Sequence, residues 1–254
     1  MLEIHQIPVL SDNYVYLALD VETGKTAVID PAVHEEVLAA LDEKGWMLSH
    51  ILNTHHHADH TGGNLALKER IGCRIVGPRA DRDRIPGIDV ALGEGDTFTL
   101  GKSVARVFDV PGHTRGHIAY WFEADNALFC GDTLFALGCD RLFEGTPQQM
   151  WDSLSKLRAL PPQTRVYCAH EYTQANAAFA VTVEPQNRAL VARKAVIDDF
   201  RAIGRRTVPS ILAEELATNP FLRPDSPDLQ RTLGMEGAPL VDVFAETRRR
   251  KDRF

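Results

Sequence analysis

Up to about residue 170 the chain alternates short apolar runs with turns, and beyond that point its apolar residues fall at helical spacing. Residues 14–20 and 26–30 read as two strands of one meander. Residues 33–44 carry Val37, Leu38 and Leu41 at helical spacing and predict an amphipathic helix. A short strand over 49–53 runs straight into a polar cluster, after which Gly62-Gly63 opens a helix through Arg70. Residues 74–77, 97–100, 103–110, 118–123 and 127–130 are rich in β-branched and aromatic residues and read as strands. Residues 147–160 form a helix with Met150, Leu154 and Leu157 on one face, stopped by Pro161-Pro162. A last strand, 165–169, leads to His170. From Glu171 onward the helical segments are 174–180, 186–203, 211–217 and 239–251. Strands followed by helices predict an α+β layered domain, residues 1–170, and a small all-helical domain, residues 171–254.

Composition narrows the function classes. The 254 residues include 28 Lys plus Arg against 35 Asp plus Glu, a formal net charge of −7. That balance argues against a nucleic-acid-coating protein. No run approaches the ~18 apolar residues of a spanning helix, and the start Met1-Leu-Glu-Ile-His-Gln has no basic, then apolar, leader. No membrane partner is expected. Cys73, Cys130, Cys139 and Cys168 are scattered with no CxxC spacing. They read as reduced core thiols of a cytoplasmic protein. A monomer is expected.

The chemistry lies in the histidines. Of ten, His55, His56, His57 and His60 fall within six residues. Residues two apart in extended chain point the same way, so His55 and His57 can present imidazoles to one point. Asp59 lies just beyond, and a turn into the following helix swings His60 beside it. A His or Asp follows a predicted strand three more times: Gly112-His113-Thr114-Arg115-Gly116-His117, Gly131-Asp132-Thr133 and Ala169-His170-Glu171. Imidazole and carboxylate donors suit a catalytic, water-bearing zinc or iron site, whereas structural zinc favours thiolates. Seven such residues exceed the need of one ion and suit two divalent ions sharing a carboxylate and a water. Zinc is expected, and the donor set also accepts iron or manganese. The bland alternative is a solvated His-rich loop.

These motifs together resemble the metallo-β-lactamase superfamily. That resemblance implies an α+β fold, a four-layered αββα sandwich, here followed by the helical C-terminal domain. It implies that His55, His57 and His113 hold one metal ion, that Asp59, His60 and His170 hold the second, and that Asp132 bridges them. It places His56 on the variable position of the motif. His117 is expected to support its loop, and His5, His34 and His50 have no assigned role.

Further stretches resemble the hydroxyacylglutathione hydrolase family, also called glyoxalase II, essentially end to end. They are Val9-Leu-Ser-Asp-Asn-Tyr-Val-Tyr16, Gly131-Asp-Thr-Leu-Phe135, Gly138-Cys-Asp-Arg-Leu-Phe-Glu-Gly145, His170-Glu-Tyr-Thr173, Asn219-Pro-Phe-Leu-Arg223 and the basic tail from Arg248. The resemblance implies a metal-dependent thioester hydrolase that converts S-D-lactoylglutathione and water to D-lactate and glutathione, the second step of methylglyoxal detoxification. Asp59 and Asp132 would be ligands that also orient the attacking hydroxide. The implied glutathione contacts are Arg141, Phe143, Tyr172, Arg248 and Lys251. Basic side chains suit the two carboxylates of glutathione, while the alternative for the tail is a charged helix end favoured by the helix dipole. Two positions depart from the family pattern: Phe143 stands where some members carry Tyr, and Asp140 where Gly is common. Rival readings are a glutathione persulfide dioxygenase with mononuclear iron, another thioesterase or lactonase of the same fold, and a metal-stabilised binding module.

Overall fold

The first strand is one that the hydrophobic pattern hides. β1 (Leu2–Val9) mixes Glu3, His5 and Gln6 among its apolar residues. In the computed structural model, which describes Met1–Phe254, it pairs antiparallel with β2 (Asn13–Asp20) along its whole length, from Leu2 opposite Asp20 to Val9 opposite Asn13. Its pattern is blurred because an edge strand needs only one good face and one neighbour. β3 (Lys25–Ile29) continues the meander, and β4 (Met47–Leu52), β5 (Arg74–Pro78) and β6 (Val90–Leu92) then add in parallel. Parallel neighbours need crossovers. α1 (Glu35–Lys44) supplies the first, ended by Gly45 in the left-handed region. α2 (Ala58–Thr61) and α3 (Asn64–Ile71) supply the second. Val28, Val37, Leu41, Ile51, Leu67 and Ile75 form the core between helices and sheet.

β7 (Thr97–Leu100), β8 (Ser103–Asp109), β9 (Ile118–Phe122) and β10 (Ala127–Gly131) pair antiparallel in sequence order. β9 and β10 are buried at every residue, which is why they read as continuous apolar runs. They pack on the first sheet: the Tyr16 and Phe129 rings lie 5.6 Å apart. The buried Tyr120 hydroxyl donates to the Asn53 carbonyl at 3.0 Å.

The chain packs as two compact units. One comprises residues 1–110 and 114–131, and the other 111–113 and 132–254. The second unit opens with β11 (Leu134–Phe135) and β12 (Gly138–Cys139), a small hairpin. α4 (Pro147–Arg158) follows a Thr146–Gln149 capping box with Pro147 in its first turn. Met150, Leu154 and Leu157 are buried, as their spacing predicts. β13 (Arg165–Cys168) pairs antiparallel with β14 (Ser210–Ile211), and this pairing pushes the start of the next helix to Leu212. The helices are α5 (Thr173–Val183), α6 (Arg188–Ala202), α7 (Leu212–Thr218), α8 (Pro227–Leu233) and α9 (Leu240–Asp252). α8 is too short for periodicity to reveal. Its signal is in its ends: the Ser226 side chain accepts the Leu229 N–H, Pro227 starts the helix and Gly234 ends it.

These helices clasp the hairpin. Leu137 at its tip has φ 58° and donates its N–H to buried Glu215 at 2.8 Å. The Asn219 amide donates to the Phe135 and Gly138 carbonyls, both at 3.1 Å. Asn176 donates to Ala136 at 3.1 Å, and the Arg248 Nη1 to Cys139 at 2.7 Å. Buried backbone groups need partners, and here Asn176, Asn219 and Arg248 serve the carbonyls while Glu215 takes the N–H. The chain leaving this hairpin carries Asp140, Arg141 and Phe143.

Candidate metal centre and substrate groove

In the first unit, extended chain after β4 delivers the histidine cluster, and α2 begins directly after His57. The alternation predicted for the cluster is present. The His55 Nε2 and His57 Nδ1 nitrogens lie 3.1 Å apart. His56 turns the other way, with its Nδ1 3.2 Å from the buried Asp81 carboxylate and Arg84 beside its other nitrogen. Asp59 and His60 both ride on α2, and His60 Nε2 lies 3.6 Å from the Asp59 carboxylate. Asn13 donates to that same carboxylate at 3.1 Å. His117 stacks on His55 with ring centroids 4.6 Å apart, a supporting contact.

Asp30 is a site residue that the motif reading passed over. It follows β3, with φ 50°, a left-handed conformation that aspartate tolerates better than most residues. Its carboxylate accepts the Thr54 N–H and hydroxyl, each at 2.7 Å, and lies 3.3 Å from His60 Nδ1. Donor atoms of Asp30, His55 and His60 all lie within 4.8 Å of one another. The signal was present in the sequence, since an acid closing an apolar strand is the pattern that marked Asp132.

In the second unit, Asp132 Oδ2 lies 3.6 Å from His113 Nε2 and 3.5 Å from His170 Nε2. The turn preceding it requires glycine: Gly131 has φ 48°, and a Cβ there would meet the Thr54 hydroxyl at 2.3 Å and the His117 ring at 2.9 Å. The His170 ring stacks on Tyr172, 4.8 Å apart and 5° from parallel. Asp140 is pushed up to about 6, mainly by burial and then by the charge of Asp132.

The donors suit a metal. In both clusters imidazole nitrogens converge with carboxylate oxygens, the set that catalytic zinc, iron or manganese accepts. Thiols do not compete. All four cysteines are buried, and burial pushes Cys139 and Cys168 up to about 12, so they stay protonated.

The second unit also contains a groove of about 490 Å³ whose lining includes Arg141, Phe143, Arg248 and Arg249. Three of the five expected substrate contacts, Arg141, Phe143 and Arg248, are in its lining. Phe143 is 63% exposed. No hydrogen bond or ion pair of the chain engages the Arg141 guanidinium. Arg248 is different. It is 6% exposed, bonded to Cys139 and to Asp252, so a large part of its role is to hold the hairpin. Lys251 donates to the Ala175 carbonyl at 3.1 Å. Burial pushes its ammonium down to about 8, helped by the charges of Arg248 and Arg141.

Comparison with known proteins fixes the family. The sequence model of the Metallo-beta-lactamase superfamily matches residues 9–170, and that of the Hydroxyacylglutathione hydrolase C-terminus matches 171–254. A curated hydroxyacylglutathione hydrolase of Methylococcus capsulatus is 65% identical, over 100% of this chain and 99% of the relative. One from Rhodospirillum rubrum is 59% identical over the same shares. The chain belongs to the hydroxyacylglutathione hydrolase family of the metallo-β-lactamase superfamily.

Solved relatives agree on the fold. ETHE1 from Myxococcus xanthus superposes with a TM-score of 0.67 at 28% identity, over 97% of this chain and 98% of that one. A protein solved in a di-iron-bound form, TTHA1623, gives 0.56 at 28% identity, over 65% of this chain and 91% of that one. The fold is thus the α+β metallo-β-lactamase sandwich expected from the motifs, with a helical hydroxyacylglutathione hydrolase C-terminus. No helix is long and apolar enough to cross a membrane.

Proposed function

We propose that this chain hydrolyses S-(2-hydroxyacyl)glutathione, with S-D-lactoylglutathione as substrate, to glutathione and the 2-hydroxy acid, as a monomer in the cytoplasm. One observation carries the substrate reading. The chain that follows the clasped hairpin and the basic end of α9 together line a groove that presents Arg141, Phe143 and Arg248, and the matched C-terminal family model covers all of α9. Two carboxylates and several amides are what such a groove recognises, through charge-assisted hydrogen bonds from Arg and Lys. We assign residues 1–170 to the catalytic domain, which also lends Arg141 and Phe143 to the groove, and 171–254 to the helical glutathione-binding domain.

The ligand assignment follows the family motif. His55, His57 and His113 would hold one divalent ion, and Asp59, His60 and His170 the other, with Asp132 between them; zinc is the expected metal, with iron or manganese as alternatives. When bound, the ions supply hydroxide at neutral pH and polarise the thioester carbonyl. Asp30 fixes the His60 ring, leaving Nε2 directed to Asp59, and Asn13 steadies the Asp59 carboxylate. Arg141, Lys251 and Tyr172 hold the glutathione moiety so that its thioester is oriented. The departing glutathione thiolate belongs to a thiol with a pKa near ~8.5. It leaves as the anion without a dedicated acid.

The deciding experiment pairs the metal content of the purified protein with a spectrophotometric assay on S-D-lactoylglutathione. Turnover together with about two metal ions per chain supports the reading. Oxygen uptake with glutathione persulfide, and no thioester cleavage, overturns it.

Two predictions follow from the geometry. His57→Ala is expected to lower kcat/KM at least about a hundredfold, and His56→Ala less than about tenfold. The reason is that His57 faces His55 whereas His56 is spent on Asp81. Equal losses in two folded variants would contradict this division. The second concerns pH. Because burial lowers the Lys251 pKa to about 8, its charge is complete well below that value and is lost above it. KM for the glutathione thioester is therefore expected to rise as pH passes above about 8, and Lys251→Arg, whose charge persists, should remove the rise. A KM flat with pH in the unaltered enzyme would exclude Lys251 from the clamp.

A further inference from the structure

The acid that departs from the family pattern, Asp140, has a defined place. One carboxylate oxygen accepts the Arg141 N–H at 2.7 Å, and the other lies 3.3 Å from His113 Nδ1. The backbone bond fixes the carboxylate, and so fixes what it presents to the ring. The Arg141 carbonyl lies 3.0 Å from the same nitrogen. Both of these neighbours of Nδ1 are acceptors, so Nδ1 carries a proton and donates it. The opposite nitrogen, Nε2, is then the one with a lone pair, and it is the one that faces Asp132 at 3.6 Å. The ring has little freedom to do otherwise: it is 2% exposed, and Phe143 packs against it with centroids 5.1 Å apart. The chain bearing Asp140 is itself held one residue earlier, where Arg248 grips the Cys139 carbonyl.

We propose that Asp140 is a positioning residue for His113, fixing its tautomer and orientation and strengthening Nε2 as a metal donor. A carboxylate hydrogen-bonded to the far nitrogen of a metal-binding imidazole raises the basicity of the near one. A backbone carbonyl alone fixes the tautomer but brings no full negative charge. This chain therefore adds an anionic partner to a histidine that the carbonyl already orients. The acid is directed at the histidine ring, and the Arg141 guanidinium is left for substrate. The inference rests on the assignment of His113 as a ligand.

The test measures zinc affinity by competition with a chromophoric chelator in the unaltered enzyme, Asp140→Asn, Asp140→Gly and His113→Ala, each checked for folding by circular dichroism. Both Asp140 variants are expected to bind one zinc ion about tenfold or more weakly, with activity recovering as zinc is raised. A structural role alone would lower thermal stability without this recovery. Imidazole nitrogen NMR should show His113 protonated at Nδ1. If both Asp140 variants match the unaltered enzyme in zinc affinity while His113→Ala loses an ion, the positioning role is wrong. If His113→Ala keeps both ions, the ligand assignment beneath it is wrong as well. A ring bare at Nδ1 would also overturn the proposal.

Discussion

Asp132→Ala is expected to release bound metal and to lower kcat/KM by at least about a thousandfold, equivalent to about 4 kcal/mol of transition-state stabilisation, while the fold survives. Asp132 is the carboxylate within 3.6 Å of both His113 and His170. Removing it takes away the anionic centre around which two imidazoles of the second unit gather. The fold should tolerate the change because the turn that places the residue is dictated by Gly131, packed against Thr54 and His117. Asp132→Asn separates charge from shape. It keeps the side-chain volume but not the charge, and should fall near the alanine variant. Metal analysis and steady-state kinetics on the same preparations check this. Two ions per chain and near-normal turnover in Asp132→Ala would refute the bridging role.

Glu215→Ala is expected to cost about 3–5 kcal/mol of stability, the usual penalty for breaking a buried ion pair from one side. Glu215 is fully buried and is paired with Arg193, which is 14% exposed. It also accepts the Leu137 N–H and the Asn219 amide at 2.8 and 3.1 Å. Alanine would leave the Leu137 N–H without its acceptor and take the buried counter-charge from Arg193, which keeps its bond to Thr218 at 2.7 Å, while Asn219 keeps the Phe135 and Gly138 carbonyls. Leu137 would lose the partner that compensates its φ of 58°. Glu215→Gln keeps an acceptor for Leu137 and should cost less. Urea unfolding of the three proteins measures the difference. A loss below about 1 kcal/mol for Glu215→Ala, the scale of an ordinary surface pair, would show that the hairpin is held by its other contacts. Because the hairpin leads to Asp140 and Arg141, the loss should be accompanied by a higher KM for the glutathione thioester.

Legibility of the chain follows from how local each constraint is. The helix 147–158 could be read because its cap, its Pro and its buried stripe all lie within its own sequence. β9 and β10 were visible because strands buried on both faces are apolar throughout. β1 was not, because its partner across the register makes it a strand. β14 was missed for a related reason: two residues become a strand only because β13 lies beside them. In the site, His55 and His57 could be separated from His56 by alternation alone. Asp30 closes an apolar strand as Asp132 does, but what it holds was not legible, since 24 residues separate it from Thr54. The partner of Asp140 was equally open in sequence: the carboxylate takes the Arg141 backbone N–H and faces the His113 ring, and leaves the Arg141 guanidinium unpaired.

The sequence by itself determined the family, the donor types and the order in which strands deliver them, because motif spacing and strand alternation are properties of neighbouring residues. Tertiary structure decided the rest. It made Arg248 a buried clasp on Cys139 where the sequence also allowed a solvated helix end, and it lowered the Lys251 pKa by burial. It also bound the hairpin before Asp140 to Asn176, Glu215, Asn219 and Arg248. Burial and hydrogen-bond partners depend on residues 40 to 109 positions away in these cases, and no local pattern encodes contacts at that separation.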